Sequence, residues 1–508
     1  MNHERYDLLI RGGTVIDGTG ADRVRADIGV RAGRIAAVGD LGGAVADQVL
    51  AADGRIVSPG FIDTHTHDDR YLSIEPGMPA KLSQGVTTVV TGNCGISQAP
   101  WRSGWRSEVP APVNLLGNDA GDFPYETFRA YLENLDRHPP AVNAACLVGH
   151  TSLRAAAMDD LDRPATAAEI EHMQALLREA MQSGAIGLST GTAYPAAMPA
   201  TLDELMAVAS VLREYGGLYA SHIRDEGDRI FAALDEAFAV GAAGGAPVLI
   251  SHHKLIGPRN HGRSVQTLAH IGQASQRQEV ALDCYPYVAG STILRKDRLA
   301  ASSRVIVTKS VPYPQYAGRD LDDIARDMGL SPEDAVDALQ PAGAIYFIMD
   351  EADVERILAY PGTMIGSDGM PHDPAPHPRL WGTFPRVLGH YCRDVGLFTL
   401  EQAVHKMTGK PAAYFRLPAR GRIAEGYAAD IVVFDADAIA DTATWAAPTS
   451  QAQGIDYVLV NGHLAWRFGA STGARAGGVI RPKADICSSV RKGRSAVKAS
   501  LGASSGMK

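Results

Sequence analysis

The sequence is poor in cysteine. Its five (Cys94, Cys146, Cys284, Cys392 and Cys487) are odd in number, widely spread and without CxxC spacing, which argues against a disulfide framework. Each is expected to be reduced and, by default, a small buried hydrophobe. An excess of positive charge is also missing: 48 Lys and Arg stand against 57 Asp and Glu, a formal net charge of -9. That balance argues against nucleic acid and anionic membranes as partners and leaves a small molecule as the expected one. No run is long and uncharged enough to span a bilayer. The opening MNHERYDLLIRGG carries charge where a signal peptide has its apolar region, so the expected location is the cytoplasm. Oligomeric state cannot be read from the sequence, a monomer being admissible.

What is present is the composition of a globular protein, 45 % apolar and 21 % charged. At 508 residues it is too long for one ordinary core, so a large domain with a smaller one is expected. YDLLIRGGTVIDGTG, RADIGVRAGRIAAVGD and GRIVSPG read as short strands with glycine turns, a small antiparallel unit. The pattern returns in GRIAEGYAADIVVFD and GIDYVLVNGHLAW, so residues 1–60 and 418–481 are expected to pack as one β-domain.

The middle, 61–417, alternates buried strands with amphipathic helices, as parallel βαβ units do. Eight strands can be counted: GFIDTHTH, GVTTVVTGN, VNAACLVGH, AIGLSTGTAY, GLYASHI, APVLISHH, VALDCYPY and GTMIGSD. Helical segments such as ATAAEIEHMQALLREAMQSG separate them and end in glycine. Count and length favour an α/β fold of the (β/α)8 TIM-barrel type over an open doubly wound sheet. Residues 288–345 interrupt the repeat and are expected to form a lid or subdomain at the barrel mouth. The basic, small-residue-rich tail 482–508 is expected to be disordered, and no function is assigned to it.

Reactive residues of such a barrel belong at the C-terminal strand ends. The first strand ends in His65-Thr66-His67, the second in Cys94, the fifth in His222, the sixth in His252-His253 and the eighth in Asp368. In a strand, residues two apart share a face, so His65 and His67 can reach one ion. Adjacent residues point apart, so only one of His252 and His253 should do so, and periodicity does not say which. Imidazole, carboxylate and thiolate together are the ligand types zinc prefers. Cys94 is therefore expected to be a metal ligand rather than a redox or nucleophilic thiol.

PGFIDTHTH, the His222, His252 and Asp368 strand ends and the late EGYAADIVVFD resemble the amidohydrolase superfamily, whose barrel carries a metal site and whose small β-sandwich is built from both chain ends. TGNCG, SHIRDEG, ISHHK, LDCYPYVAGST and IGSDGMPHDPAPHPRLWGTFPR are similar to the D-aminoacylases (N-acyl-D-amino-acid deacylases) within it, in which a cysteine replaces the more usual modified lysine as bridging ligand. The resemblance spans nearly the whole chain except the tail. It implies that Cys94, His222 and His252 form a tighter zinc site and His65, His67 and Asp368 a second, weaker one, with His252 rather than His253 the ligand. A zinc-bound water has a pKa of about 7, and Asp368 beside the metal can take its proton and deliver it to the leaving amine. The resemblance also implies a substrate α-carboxylate held by Lys254, Tyr285, Ser291 and Arg379, a planar guanidinium suiting a carboxylate.

His150 at the third strand end is a candidate for touching the scissile carbonyl. Asp68, Asp69 and Asp225 are candidates for orienting ligand imidazoles, and His253, His372 and His377 for accessory roles. His138, His172 and His270 read as surface residues. The expected activity is zinc-dependent hydrolysis of N-acyl-D-amino acids bearing neutral hydrophobic side chains. The alternatives are a deacylase for N-acyl-D-glutamate or D-aspartate, which would need a further cation such as Arg295 or Lys296, a hydantoinase-like cyclic amidase, and a non-catalytic scaffold, which the complete ligand set disfavours.

Overall fold

In the computed structural model, residues 5–102, 104 and 108–482 are described. Except for Pro482, the tail expected to be disordered lies outside the described residues. All eight anticipated strands form and pair in parallel in chain order: Phe61–Asp63, Val86–Thr91, Asn143–Gly149, Gly187–Gly191, Leu218–His222, Val248–Ile250, Val280–Cys284 and Thr363–Ile365. Nearly every residue in them is buried, as expected of strands covered by helices on one side and filling a barrel on the other. The helix Ala167–Ser183 starts at a Thr166–Glu169 capping box and stops at left-handed Gly184.

The eighth strand closes on the first without a regular ladder. Thr64 N donates to Ile365 O at 3.3 Å, Asp368 N to His65 O at 2.7 Å and His67 N to Gly369 O at 3.0 Å, alongside a single Thr66–Gly369 bridge. Inside, Ile62, Leu147, Leu249 and Met364 share an apolar cluster with Tyr414, Phe415 and Ile480. That packing leaves the opposite end, where the chemically active strand ends converge, for polar groups.

Both chain ends contribute to one nine-stranded sheet, in which Ile431–Phe434 pairs with Ile56–Pro59 and joins the halves. Leu8, Ile28, Val57, Ile431 and Leu459, drawn from both halves, share one apolar core. It is not wholly antiparallel, contrary to expectation. Arg5–Val15 runs antiparallel to Val24–Arg31 but parallel to Val45–Ala51 and Ile56–Pro59, because the chain returns through a hairpin before re-entering beside its first strand. Residues 477–480 leave the sheet for the barrel, where Ala144 N donates to Gly478 O and Ile480 N to Ala144 O. Gly477 permits this approach, since a Cβ there would lie 2.0 Å from Val142 O.

The segment interrupting the repeat is a subdomain. Ala289–Ile293, Ala342–Phe347 and Val305–Ser310 form an antiparallel sheet backed by helices Leu321–Met328 and Pro332–Leu339 around their own core. Its last strand runs two residues past the expected limit at 345.

Candidate metal centre

The strand ends carry their side chains into the mouth through unusual backbone. Cys94, His252 and Asp368 have φ of 55°, 35° and 49°, in the left-handed region that non-glycine residues avoid and that concentrates at functional sites. The Cys94 turn is pressed against its neighbours: a Cβ on Gly92 would lie 2.0 Å from Leu147 O, and one on Gly191 would lie 2.1 Å from Cys94 O. Hence the glycines that surround the thiol in sequence and in space.

Two buried donor groups result. The ligand atoms of His65, His67, Cys94 and Asp368 lie within 4.8 Å of one another, and so do those of Cys94, His222 and His252. Cys94 Sγ, common to both, is 3.3 Å from His65 Nε2 and 3.3 Å from His252 Nε2. Asp368 Oδ1 is 3.3 Å from His67 Nε2 and 3.7 Å from His65 Nε2. His253 points elsewhere, its Nε2 2.9 Å from Thr267 Oγ1, so the two side chains diverge just past the strand end, where His252 is left-handed.

The electrostatics suit a cation. Burial pushes His65 down to about 3 and holds His222 well below its ordinary value, so these imidazoles are neutral with lone pairs to offer. Burial, with Asp368 adding to it, drives the Cys94 thiol well up, so only a bound cation would make it a thiolate. Burial would also raise Asp368, but Arg379 and the His67 contact outweigh it and keep the carboxyl well below the usual range. Both ring nitrogens of His222 and Nδ1 of His67 are buried without a hydrogen-bond partner. Unpaired buried imidazole nitrogens of this kind fit the donor set of a metal ion.

The sequence profile of the amidohydrolase family matches residues 48–465. The chain belongs to the amidohydrolase family. It is 56 % identical over 475 residues to a D-aminoacylase of Alcaligenes xylosoxydans xylosoxydans, covering 94 % of this chain and 97 % of that one. A solved D-aminoacylase with a binuclear metal center superimposes with a TM-score of 0.91 at 56 % identity, over 94 % of this chain and 100 % of that one. An N-acyl-D-glutamate deacylase from Bordetella bronchiseptica, solved with zinc and a phosphonate inhibitor, gives 0.89 at 47 % identity over 94 % and 100 %.

Around the donors of this amidohydrolase stand residues that sequence reasoning passed over. Asp283 Oδ1 accepts from His252 N at 2.7 Å and its Oδ2 lies 3.4 Å from His65 Nδ1; burial raises it to about 7. Glu226 Oε1 lies 3.2 Å from His252 Nδ1, and Oε2 3.9 Å from His222 Nε2. Carboxylates so placed fix which ring nitrogen faces a metal. Lys81 is wholly buried, its Nζ 3.1 Å from Ser367 Oγ, next to Asp368 in the chain. Of the expected orienting aspartates, Asp68 accepts from Thr66 Oγ1 at 2.9 Å and Asp69, raised to about 7 by burial, accepts from the Gly92 amide. Asp225 instead accepts from Gly227 N and Arg229 N and stabilises its own loop.

The expected carboxylate-binding residues converge only in part. The Arg379 guanidinium is 1 % exposed, lies 4.5 Å from the Tyr285 ring centre, donates to Ser291 O at 3.2 Å and pairs with Asp368 Oδ2 at 2.9 Å. Tyr285 OH and Ser291 Oγ are buried without hydrogen-bond partners. Lys254 is already engaged, its Nζ 2.5 Å from Glu226 Oε1 and 2.6 Å from His252 Nδ1. His150 faces Glu204 Oε1 at 3.2 Å beside Arg154. His377 accepts from Arg379 N and sits 2.9 Å from Ala289 O, holding the loop that carries Arg379. His372 is part-buried and, through burial, lowered to about 3. His138 and His172 are exposed, while His270 is part-buried against Asp235. A cleft of about 640 Å³ opens beside Glu226, lined by Arg295 and Arg298 of the subdomain. A larger hollow of about 760 Å³ touches Pro247 and Glu279, before the sixth and seventh strands, and is remote from the metal-capable groups.

Proposed function

We propose that this protein hydrolyses the linear amide of N-acyl-D-amino acids, releasing a carboxylate and a free D-amino acid, with zinc as its metal. Cys94, His222 and His252 would hold the tighter ion, and His65, His67 and Asp368 a second, weaker one. The observation that carries this reading is the pair of buried donor groups sharing Cys94, beside a buried arginine paired with Asp368. Preference for the D form rests on the relatives named above. Zinc bound there supplies Lewis-acid polarisation of the acyl carbonyl and acidifies a water.

The chain's own groups do the rest. Asp368, kept ionised by Arg379, accepts the proton of the attacking water and returns it to the departing amine. Arg379, Tyr285 and Ser291 bind the substrate's α-carboxylate; the last two have buried hydroxyls with no other partner. Lys254, tied to Glu226, adds its field to this clamp. His150 Nε2 lies 3.2 Å from Glu204 Oε1, and this scheme gives it no role.

A neutral side chain is favoured because the two cations considered for an acidic one face exposed aspartates of their own subdomain. Arg295 pairs with Asp297 and donates to Ala193 O, and Lys296 pairs with Asp337. The test is a panel of N-acetyl-D-methionine, N-acetyl-D-glutamate and a hydantoin with zinc-loaded enzyme. Fastest release of D-methionine is expected. Preference for D-glutamate would assign an acidic substrate, and hydrolysis of the hydantoin alone would overturn the linear-amide reading.

A further inference from the structure

Lys81 sits in the one-turn helix Pro79–Leu82 with 0 % of its surface exposed. A lysine so deep persists only where its charge is matched. Its Nζ lies 2.7 Å from Asp63 Oδ2, 3.0 Å from Thr66 Oγ1, 3.1 Å from Ser367 Oγ and 3.2 Å from Asp68 Oδ2. Three of these oxygens belong to the segment carrying His65 and His67, and the fourth to the residue before Asp368. Ser367 reinforces the link, donating from N to Asp63 Oδ1 at 2.8 Å and from Oγ to Asp63 Oδ2 at 2.5 Å.

This cluster stands at the one barrel seam that lacks a regular strand ladder. With few backbone bonds across the seam, the separation of His67 from Asp368 depends on what else ties the two segments. We infer that Lys81 is a positioning residue that pins the first and eighth strand ends together and so shapes the His65, His67 and Asp368 metal site. It makes no contact with Cys94, His222 or His252, so its effect is selective between the two sites. The inference rests on the ligand grouping proposed above.

The test is zinc titration of metal-stripped full-length protein against a chromophoric chelator, for wild type, Lys81→Met and Ser367→Ala, with thermal melting to confirm folding. Wild type should bind two equivalents. Lys81→Met should keep the tighter ion within about threefold and weaken the second about 10- to 100-fold, the usual effect of removing an outer partner. Its kcat should fall while KM stays within about twofold, because Lys81 touches none of the carboxylate-binding residues. Ser367→Ala should move the same way by less, and it decides the matter if Lys81→Met does not fold. Equal weakening of both ions, or of neither, in a folded variant would overturn the inference. A wild type that binds no zinc at all would overturn the ligand grouping itself, and the inference with it.

Discussion

Replacing Arg379 by methionine should separate two tasks that the structure gives to one guanidinium. Its NH1 is 2.9 Å from Asp368 Oδ2, and both groups are almost wholly buried. Asp368 lies well below the usual carboxylate range although burial alone would raise it, and Arg379 is the largest influence holding it down. Without that cation the carboxyl moves up, so the ionised base appears only at higher pH. The acidic limb of the rate profile should therefore shift to higher pH in the variant, with a greater deficit at pH 5 than at pH 8. Substrate affinity should fall as well. A hydrogen bond to a charged group contributes about 1.5–3 kcal/mol, which is ~10- to 150-fold in KM. The assay is initial-rate kinetics from pH 5 to 9 at saturating zinc, with metal content measured alongside. A KM within twofold of wild type and an unmoved acidic limb would refute both roles.

Cys94→Ala removes the donor common to both groups. Zinc retained after dialysis should fall below one equivalent and turnover by more than the ~10- to 100-fold typical of losing an outer partner; full metal content would show that Cys94 is only a packed thiol. Glu204 is predicted to be structural. Burial would raise it, yet its contacts with His150 and Arg154 bring it down to about 2. A depressed carboxyl stabilises the fold above its ordinary value near 4.5 and loses that contribution as pH falls toward 2. Such a shift corresponds to about 3 kcal/mol, or about 2 after solvent screening. Glu204→Gln should thus lower stability by that amount at pH 7 and by clearly less at pH 3 in denaturant unfolding, and a pH-independent loss would contradict the assignment.

The barrel was legible because its parallel strands are buried on both faces and read as short apolar runs, five of them followed by a residue with metal-binding chemistry to offer. HTH, TGNCG, SHI, SHH and GSD mark five of those ends, and the structure gathers them at one mouth. The residues that support the donors were not legible. Lys81 in PAKLSQG has the local pattern of a solvent-facing lysine, and its partner Ser367 lies 286 residues away. Glu226 in SHIRDEG and Asp283 in VALDC show no periodicity that distinguishes an orienting carboxylate from a loop charge or a buried polar residue. Lys254 was expected among the substrate contacts, but sequence could not reveal that Glu226 would stand 2.5 Å from its Nζ. The parallel course of Val45–Ala51 beside the first strand was likewise hidden, since pairing direction depends on the path of the intervening chain rather than on the alternation of apolar residues.

The most direct test of zinc-dependent, D-selective hydrolysis compares zinc-loaded and chelator-stripped enzyme on N-acetyl-D-methionine and its L enantiomer, counting free amine. Release is expected from the D substrate alone, abolished by stripping and restored by zinc. Metal-independent release, or equal release from both enantiomers, would contradict it.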